Sequence, residues 1–152
     1  MKNLLNLNSL KWVCHHLHID KSNTITNARL DKSLVHMRNK WILMRDIKTK
    51  YTRHDLKKRM LKTTSMIMRQ GCRKMRTFID IDNIVGLEPL YAAIDVKNYW
   101  KPRGIELQLG TQLLEGLETP ENIKLFDEAA ELVDFIGCLP SRDTSPEKHL
   151  DI

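Results

Sequence analysis

Residues 74–82 read Lys-Met-Arg-Thr-Phe-Ile-Asp-Ile-Asp, and this stretch decides the fold class. Positions 75, 77, 79 and 81 alternate with positively charged, aromatic and acidic neighbours, which is the period of two expected of a β-strand. On both sides the spacing changes, because apolar residues recur three or four apart over 56–68 and again over 87–96. A strand between two helices predicts a parallel α/β sheet or barrel.

The same alternation extends along most of the chain. Thr52 with Asp55 forms a capping box at a helix start, and Gly71 can end that helix. Thr119 followed by Pro120 is a second strong helix start. Residues 22–50 give no single pattern, and we expect a polar loop followed by a basic, partly helical insertion. We predict strands at 10–19, 74–82, 105–112 and 134–139, and helices over 52–71, over 88–100 and from 119 onward.

Composition and charge narrow the class of protein. The 152 residues are 41% hydrophobic and 29% charged, which suits one packed domain rather than a disordered chain. Three cysteines without a C-x-x-C pair favour a reduced, cytoplasmic protein, and no apolar run reaches the roughly 20 residues of a membrane span. Residues 1–76 hold 19 Lys/Arg against 4 Asp/Glu, whereas residues 77–152 hold 6 against 15. Because the basic half lacks interleaved aromatics or a DNA-binding motif, we interpret it as solvated surface.

The domain prediction is a single unit over 1–152, with residues 1–11 as an N-terminal extension. Ser145-Pro146-Glu147 has the pattern of another helix start, but only five residues follow it. One turn of helix does not repay its nucleation cost. The expectation from this pattern is a truncated reading frame or a fragment.

His16-Leu17-His18 is the candidate for chemistry. Residues two apart on a strand point to the same side, so two imidazoles at a strand end can bind one divalent metal as neutral nitrogen donors. The motif alone is short, and a pair of histidines at a strand end is more often exposed to solvent than ligating. Its sequence context therefore decides how it is interpreted.

The context of the pair is residues 16–21, which read His-Leu-His-Ile-Asp-Lys. This stretch resembles the H-x-H-(aliphatic)-D-K signature that opens the barrel of the metal-dependent amidohydrolases of the cytosine deaminase and N-isopropylammelide amidohydrolase type. Five further segments resemble family motifs in the correct order. They are 52–59 (T-x-x-D-(aliphatic)-K-x-R), 75–82 (R-T-H-V-D-V-D), 105–108 (I-D-L-Q), 132–140 (D-x-V-G-x-x-P) and 146–151 (P-E-x-H-L-D).

The resemblance implies a (β/α)₈ barrel, with the site at the carboxyl ends of the strands. The family binds iron or zinc and uses the ion to activate water for hydrolysis of a C–N bond. His16 and His18 would be the metal ligands from the first strand, whereas Asp20 and Lys21 are expected to be structural neighbours. A whole barrel needs ~250 residues, so we expect a partial barrel made of about its first four strands.

Three departures from the family pattern limit this implication. The family takes another metal-ligand histidine, a catalytic glutamate, a further histidine and a metal-ligand aspartate from later strands. Phe78 stands where the second strand of the family has histidine. The substrate-binding glutamine of the family falls near Leu114, which leaves Gln112, if the register slips by two, and Glu115 as substrate-binding candidates. No catalytic residue is assigned.

The functional expectation is a cytosine deaminase-like hydrolase of a cyclic amide or pyrimidine-like substrate, incomplete or inactive as this chain alone. One alternative is a non-catalytic remnant or interaction module of the same fold. A basic nucleic-acid-binding protein is the weaker alternative. Because four strands leave two open edges, we expect poor stability, self-association or a separate C-terminal half as partner. We expect a small molecule as substrate, with no membrane and no nucleic acid as partner.

Overall fold

A computed structural model describes residues 12–34, 36–145 and 147. Parallel strands alternate with helices along most of this chain, as the sequence predicts. The strands are β1 (Trp12–Leu17), β2 (Cys72–Asp80) and β3 (Glu106–Gln112). The α-helices are α1 (Asn27–Ser33), α2 (Met37–Lys48), α3 (Arg53–Arg69), α4 (Glu88–Trp100) and α5 (Pro120–Ala130). Short 3₁₀ turns cover Ile19–Lys21, Lys101–Arg103 and Pro140–Arg142.

The three strands form one sheet in the order β1-β2-β3, and both pairings are parallel. Crossovers through α3 and α4 connect them, as parallel neighbours require. β2 and β3 pair without interruption from Lys74 with Glu106 to Asp80 with Gln112. The register of β1 against β2 is irregular between Trp12 and Val13 and again between Cys14 and Leu17. The second irregularity contains His16, the first histidine of the pair.

The hydrophobic core lies between the sheet and the helices α3 and α4. α3 contributes Leu56 and Met60, and Trp100 at the end of α4 donates its indole N–H to the Thr64 hydroxyl at 2.7 Å. The core side chains from the strands include Met75, Ile79, Leu107 and Leu109. The apolar faces of the helices and of the sheet thus pack against each other, because each element buries its apolar side there.

The predicted fourth strand, 134–139, is wrong as a regular strand. Its backbone forms one isolated parallel bridge to β3, between Phe135 and Gly110. The backbone N–H groups of Asp134 and Phe135 both donate to the Leu109 carbonyl, at 2.8 and 3.3 Å, and side chains make the other hydrogen bonds to β3. The Asp134 carboxylate accepts from the Leu109 N–H at 2.7 Å, and the Thr111 hydroxyl bonds both the N–H and the carbonyl of Gly137 at 2.9 Å. The segment therefore runs beside β3 with a single bridge to it, and the described residues form a sheet of three strands instead of four.

Residues 22–50 contain two helices, α1 and α2, where the sequence predicts a loop and a partly helical insertion. The predicted N-terminal extension, 1–11, lies outside the described residues. So does most of the predicted C-terminal helix, of which only Glu147 is described. None of the helices in the described part of the chain combines the length and apolarity that a bilayer crossing needs.

Candidate metal centre at the strand ends

The two histidines of the H-x-H motif meet at the carboxyl end of β1. His16 belongs to the strand, and His18 directly follows its last residue, Leu17. The two Nε2 atoms are 3.2 Å apart, and the rings meet edge to face with centroids 5.1 Å apart. His16 is exposed and His18 is half-buried. The motif thus brings two nitrogen donors to one point at the strand ends.

This separation fits two ligands of one ion. Zinc–histidine bonds of about 2.0–2.1 Å at tetrahedral angles place neighbouring nitrogens roughly 3.3 Å apart. However, no group of three His, Cys, Asp or Glu side chains in the described segments could hold a metal. A catalytic zinc site needs about three protein ligands. The pair therefore fits the family metal as half of a site.

The environment of His18 favours the form that binds metal. Burial, helped by the positive charge of Lys21, lowers the pKa of His18 to about 4. The imidazole is therefore neutral near pH 7, as a metal ligand must be. Its Nδ1 atom is buried, and no described residue forms a regular hydrogen bond with it. The Gln112 side chain nevertheless interacts with the imidazole and partly opposes the lowering of the pKa. Ligating histidines usually donate from the second ring nitrogen to an acceptor.

Phe78 on β2 packs against both imidazoles. Its ring centroid lies 4.8 Å from that of His16 and 5.7 Å from that of His18. On its other side the ring meets Phe135 edge to face at 5.2 Å. β2 thus presents an aromatic ring to the pair at the position where the family has histidine. The ring restricts the imidazoles but adds no ligand.

The turn after His18 is fixed by the α3 motif. Arg59 Nη1 donates to the carbonyls of Asp20 and Ser22 at 2.6 and 2.8 Å, and its Nε donates to Asp55 at 2.7 Å. The Asp20 carboxylate in turn accepts from the backbone N–H of Asp80 at 3.0 Å. The H-x-H-x-D-K and T-x-x-D-x-K-x-R motifs are therefore one interlocked unit. This agrees with the structural role expected of Asp20.

A chain of buried charges crosses the strand ends beside the histidines. Lys21 Nζ lies 2.7 Å from Asp80 Oδ1, and Lys48 Nζ lies 3.4 Å from Asp80 Oδ2. Lys48 also donates to Asp82, whose other oxygen accepts from the backbone N–H groups of residues 84 and 85. Burial, reinforced by nearby Asp20, raises the pKa of Asp80, while the two lysines oppose that shift. Asp80 and Asp82 are both fully buried, and Asp82 also caps a turn.

The two substrate candidates lie near this charge chain. Gln112 ends β3, and its Oε1 accepts from Lys21 Nζ at 2.5 Å. Glu115 follows in the next loop, and its carboxylate is 3.7 Å from the guanidinium of Arg45 on α2. Both side chains already have cationic partners. Their roles toward a substrate stay predictions.

Lys48 is the member of the buried charge chain that the sequence analysis did not identify. It lies in the segment without a periodic pattern, and its partners are more than thirty residues away in the chain. The sequence around Lys48 contains no feature that would have predicted its burial. Ile47 and Lys48 are the residues buried in α2, and a lysine beside an apolar residue at a helix end gives no indication of burial.

The fold and the histidine pair together define a parallel α/β unit with a candidate metal centre at its strand ends. Among solved structures, the chain is similar to amidohydrolases. Two structures of 5-methylcytosine deaminase from Klebsiella pneumoniae match 93% of this chain and 34% of their own, with TM-scores of 0.81 and 0.80 at 26% and 25% identity. N-isopropylammelide isopropylaminohydrolase from Burkholderia multivorans shares the fold, with a TM-score of 0.69, 23% identity and coverage of 90% and 34%.

These structures confirm the resemblance to the cytosine deaminase and N-isopropylammelide amidohydrolase group of the amidohydrolase superfamily. An uncharacterized protein of Haemophilus influenzae is 33% identical over 135 residues. That match covers 87% of this chain and 48% of the relative, so the chain spans about half the length of the curated relative and a third of the solved structures. No family model matches the sequence.

Proposed function

We propose that this chain supplies the first-strand half of a divalent metal site in a hydrolase acting on C–N bonds. The observation that carries the proposal is the 3.2 Å separation of the His16 and His18 Nε2 atoms at the end of a parallel strand. The chemistry that zinc or iron supplies in such a site is activation of water near neutral pH. His16 and His18 bind the ion, and Phe78 limits the motion of their rings.

The remaining ligands come from a segment outside the described residues, in the same protein or in a separate polypeptide. The structural neighbours at 25–26% identity are 5-methylcytosine deaminases. The substrate class that follows is an aminated pyrimidine or a related cyclic amide. Gln112 and Glu115 line the route to it from the β3 side.

The first experiment measures metal binding by the chain itself. Cobalt(II), whose absorption spectrum reports its ligands, is titrated into the metal-free protein at pH 7. His16→Ala and His18→Ala are each expected to weaken binding at least ~10-fold, because a single imidazole remains. His15→Ala is the matched control, since His15 is an exposed neighbour on the same strand. Equal affinity in the His15, His16 and His18 variants would contradict the proposal.

The second experiment measures hydrolysis. The chain is mixed with the unmatched portion of the Haemophilus influenzae relative, and ammonia release from cytosine and 5-methylcytosine is followed. Release should depend on both polypeptides and fall at least ~100-fold in His16→Ala, because the ion loses a ligand. Release that survives removal of both histidines would rule out this role of the pair.

A metal-free interaction module is the second candidate function. Phe78 at the position of the family histidine, together with the lack of a third ligand near the pair in the described ranges, favours it. The cobalt titration separates the two candidates. A folded chain that binds no cobalt at His16 and His18 would favour the interaction module.

A further inference from the structure

Helix α2 carries one buried charge, Lys48, into the body of the protein. Ile47 and Lys48 are its buried residues, whereas its first turns are exposed. The Lys48 side chain is 1% exposed, and its Nζ contacts both Asp80 and Asp82 at the end of β2. Burial opposes its charge, but the two carboxylates outweigh that effect and raise the pKa of Lys48. Lys48 is therefore a charged anchor inside the fold.

Two further contacts carry α2 across the neighbouring strand ends. Arg45 reaches Glu115, which follows β3, at 3.7 Å. The guanidinium of Arg142, which follows the segment beside β3, lies 4.0 Å from the centre of the Trp41 ring. Successive turns of α2 thus contact the ends of β2, of β3 and of the next segment. This places α2 along the face where βα-barrel sites are built.

Both substrate candidates are held by contacts that begin on α2. Glu115 is held directly by Arg45. Gln112 is held through a relay, in which Lys48 contacts Asp80, Asp80 contacts Lys21 at 2.7 Å, and Lys21 donates to Gln112 at 2.5 Å. Charges alternate in sign along this relay, so each member limits the position of the next.

We propose that α2 forms a wall of the substrate site and that Lys48 is the positioning residue that fixes this wall and, through Asp80 and Lys21, orients Gln112. The proposal rests on the proposed function only where it gives Gln112 and Glu115 a substrate to contact. The placement of the wall and of the Gln112 side chain can be tested in the metal-free chain.

Three variants distinguish loss of the Lys48 anchor from a general loss of stability. Lys48→Met keeps the length of the side chain and removes its charge, but it leaves two buried carboxylates with one cation fewer. Lys48→Met combined with Asp82→Asn removes one of those charges and keeps the Asp82 oxygen that caps residues 84 and 85. Lys50→Met is the matched control, because Lys50 is exposed and pairs with Asp46 on the surface of the same segment.

Hydrogen exchange followed by mass spectrometry measures how firmly α2 is held in place. In the double variant, and in Lys48→Met if it folds, amides of 37–48 should exchange at least ~10-fold faster, because α2 loses its anchor. Amides of α3 and α4 should keep their protection, and Lys50→Met should match the wild type. A folded double variant with unchanged protection of α2 would overturn the proposal.

The side-chain amide of Gln112, assigned in ¹⁵N NMR spectra with Gln112→Ala, reports the relay. Its resonances should shift in the Lys48 variants and stay unchanged in Lys50→Met. If they do not move, the relay to Gln112 is wrong. In any form with measurable hydrolysis, the double variant should raise KM about 10-fold and change kcat by less than about 3-fold. Wild-type protein that binds no metal and has no activity would sink the proposed function, while exchange and NMR would still decide the role of Lys48.

Discussion

At the scale of single residues, His18 shows how the fold prepares a side chain. A histidine in a short motif is usually exposed, but His18 is half-buried against Phe78 and lies near Lys21. Its pKa falls to about 4 for that reason. The proton and the metal compete for the same imidazole, so this depression favours metal binding at neutral pH.

The depressed pKa predicts a pH dependence of stability in the metal-free protein. As the pH falls below about 6.5, the unfolded chain takes up a proton on this imidazole before the folded chain does. Stability should therefore fall between about pH 6.5 and pH 4 and then level off for this group. His18→Asn should flatten the profile by about 1 kcal/mol, a figure reduced for partial exposure.

Urea unfolding at several pH values measures this effect. His54→Asn, at an exposed position on α3, should keep the wild-type slope. A His18 variant with the same slope as wild type would show that the fold does not depress this pKa.

At the scale of secondary-structure elements, α3 positions the candidate site most directly. It begins directly after the capping residue Thr52, packs Leu56 and Met60 into the core, and extends Arg59 to the turn that follows His18. A loosened α3 would therefore release both the core and the turn. The stability of the first turn of α3 therefore affects the turn that follows His18.

Thr52→Ala should lower the free energy of unfolding by about 1 kcal/mol. The Thr52 hydroxyl accepts from the backbone N–H of Asp55 at 3.2 Å, and alanine leaves that donor without this partner. Thr26→Ala is the control, because Thr26 occupies the same position before α1 without a side-chain capping bond. Urea denaturation compares the two, and equal losses would argue against the cap.

At the scale of the whole molecule, the sheet has an open edge at β1 among the described residues. β1 pairs with β2 on one side, and Trp12 and Val13 are exposed. Exposed apolar edge strands favour pairing with another chain. The relatives that this chain matches are two to three times longer, so in them other segments have room to cover this edge.

Val13→Lys should reduce self-association of the isolated chain, because a charge on an edge strand opposes strand pairing. Light scattering across a concentration series measures the average mass. Met66→Lys is the control, since Met66 is similarly exposed but lies on α3, away from the sheet edge. Equal masses for the two variants would point to association through another surface.

The order of the helices and strands and the place of the histidine pair follow from the amino-acid sequence. Periodicity and capping are local properties, so residues 52–71, 74–82, 88–100 and 105–112 reveal their secondary structure without tertiary context. The H-x-H motif likewise needs only the geometry of a strand end to bring two imidazoles together. These parts of the prediction match the observed helices and strands within two residues at each end.

The fate of the 134–139 segment and the burial of Lys48 depend on the three-dimensional fold. The segment at 134–139 is apolar enough for a strand, but beyond two backbone bonds to Leu109 it is joined to β3 by the Thr111 hydroxyl and the Asp134 carboxylate. Lys48 becomes a buried anchor because the fold brings it to Asp80 and Asp82, which lie at the end of a strand far away in the sequence. Both outcomes depend on side-chain contacts between residues far apart in the chain, which local spacing does not encode.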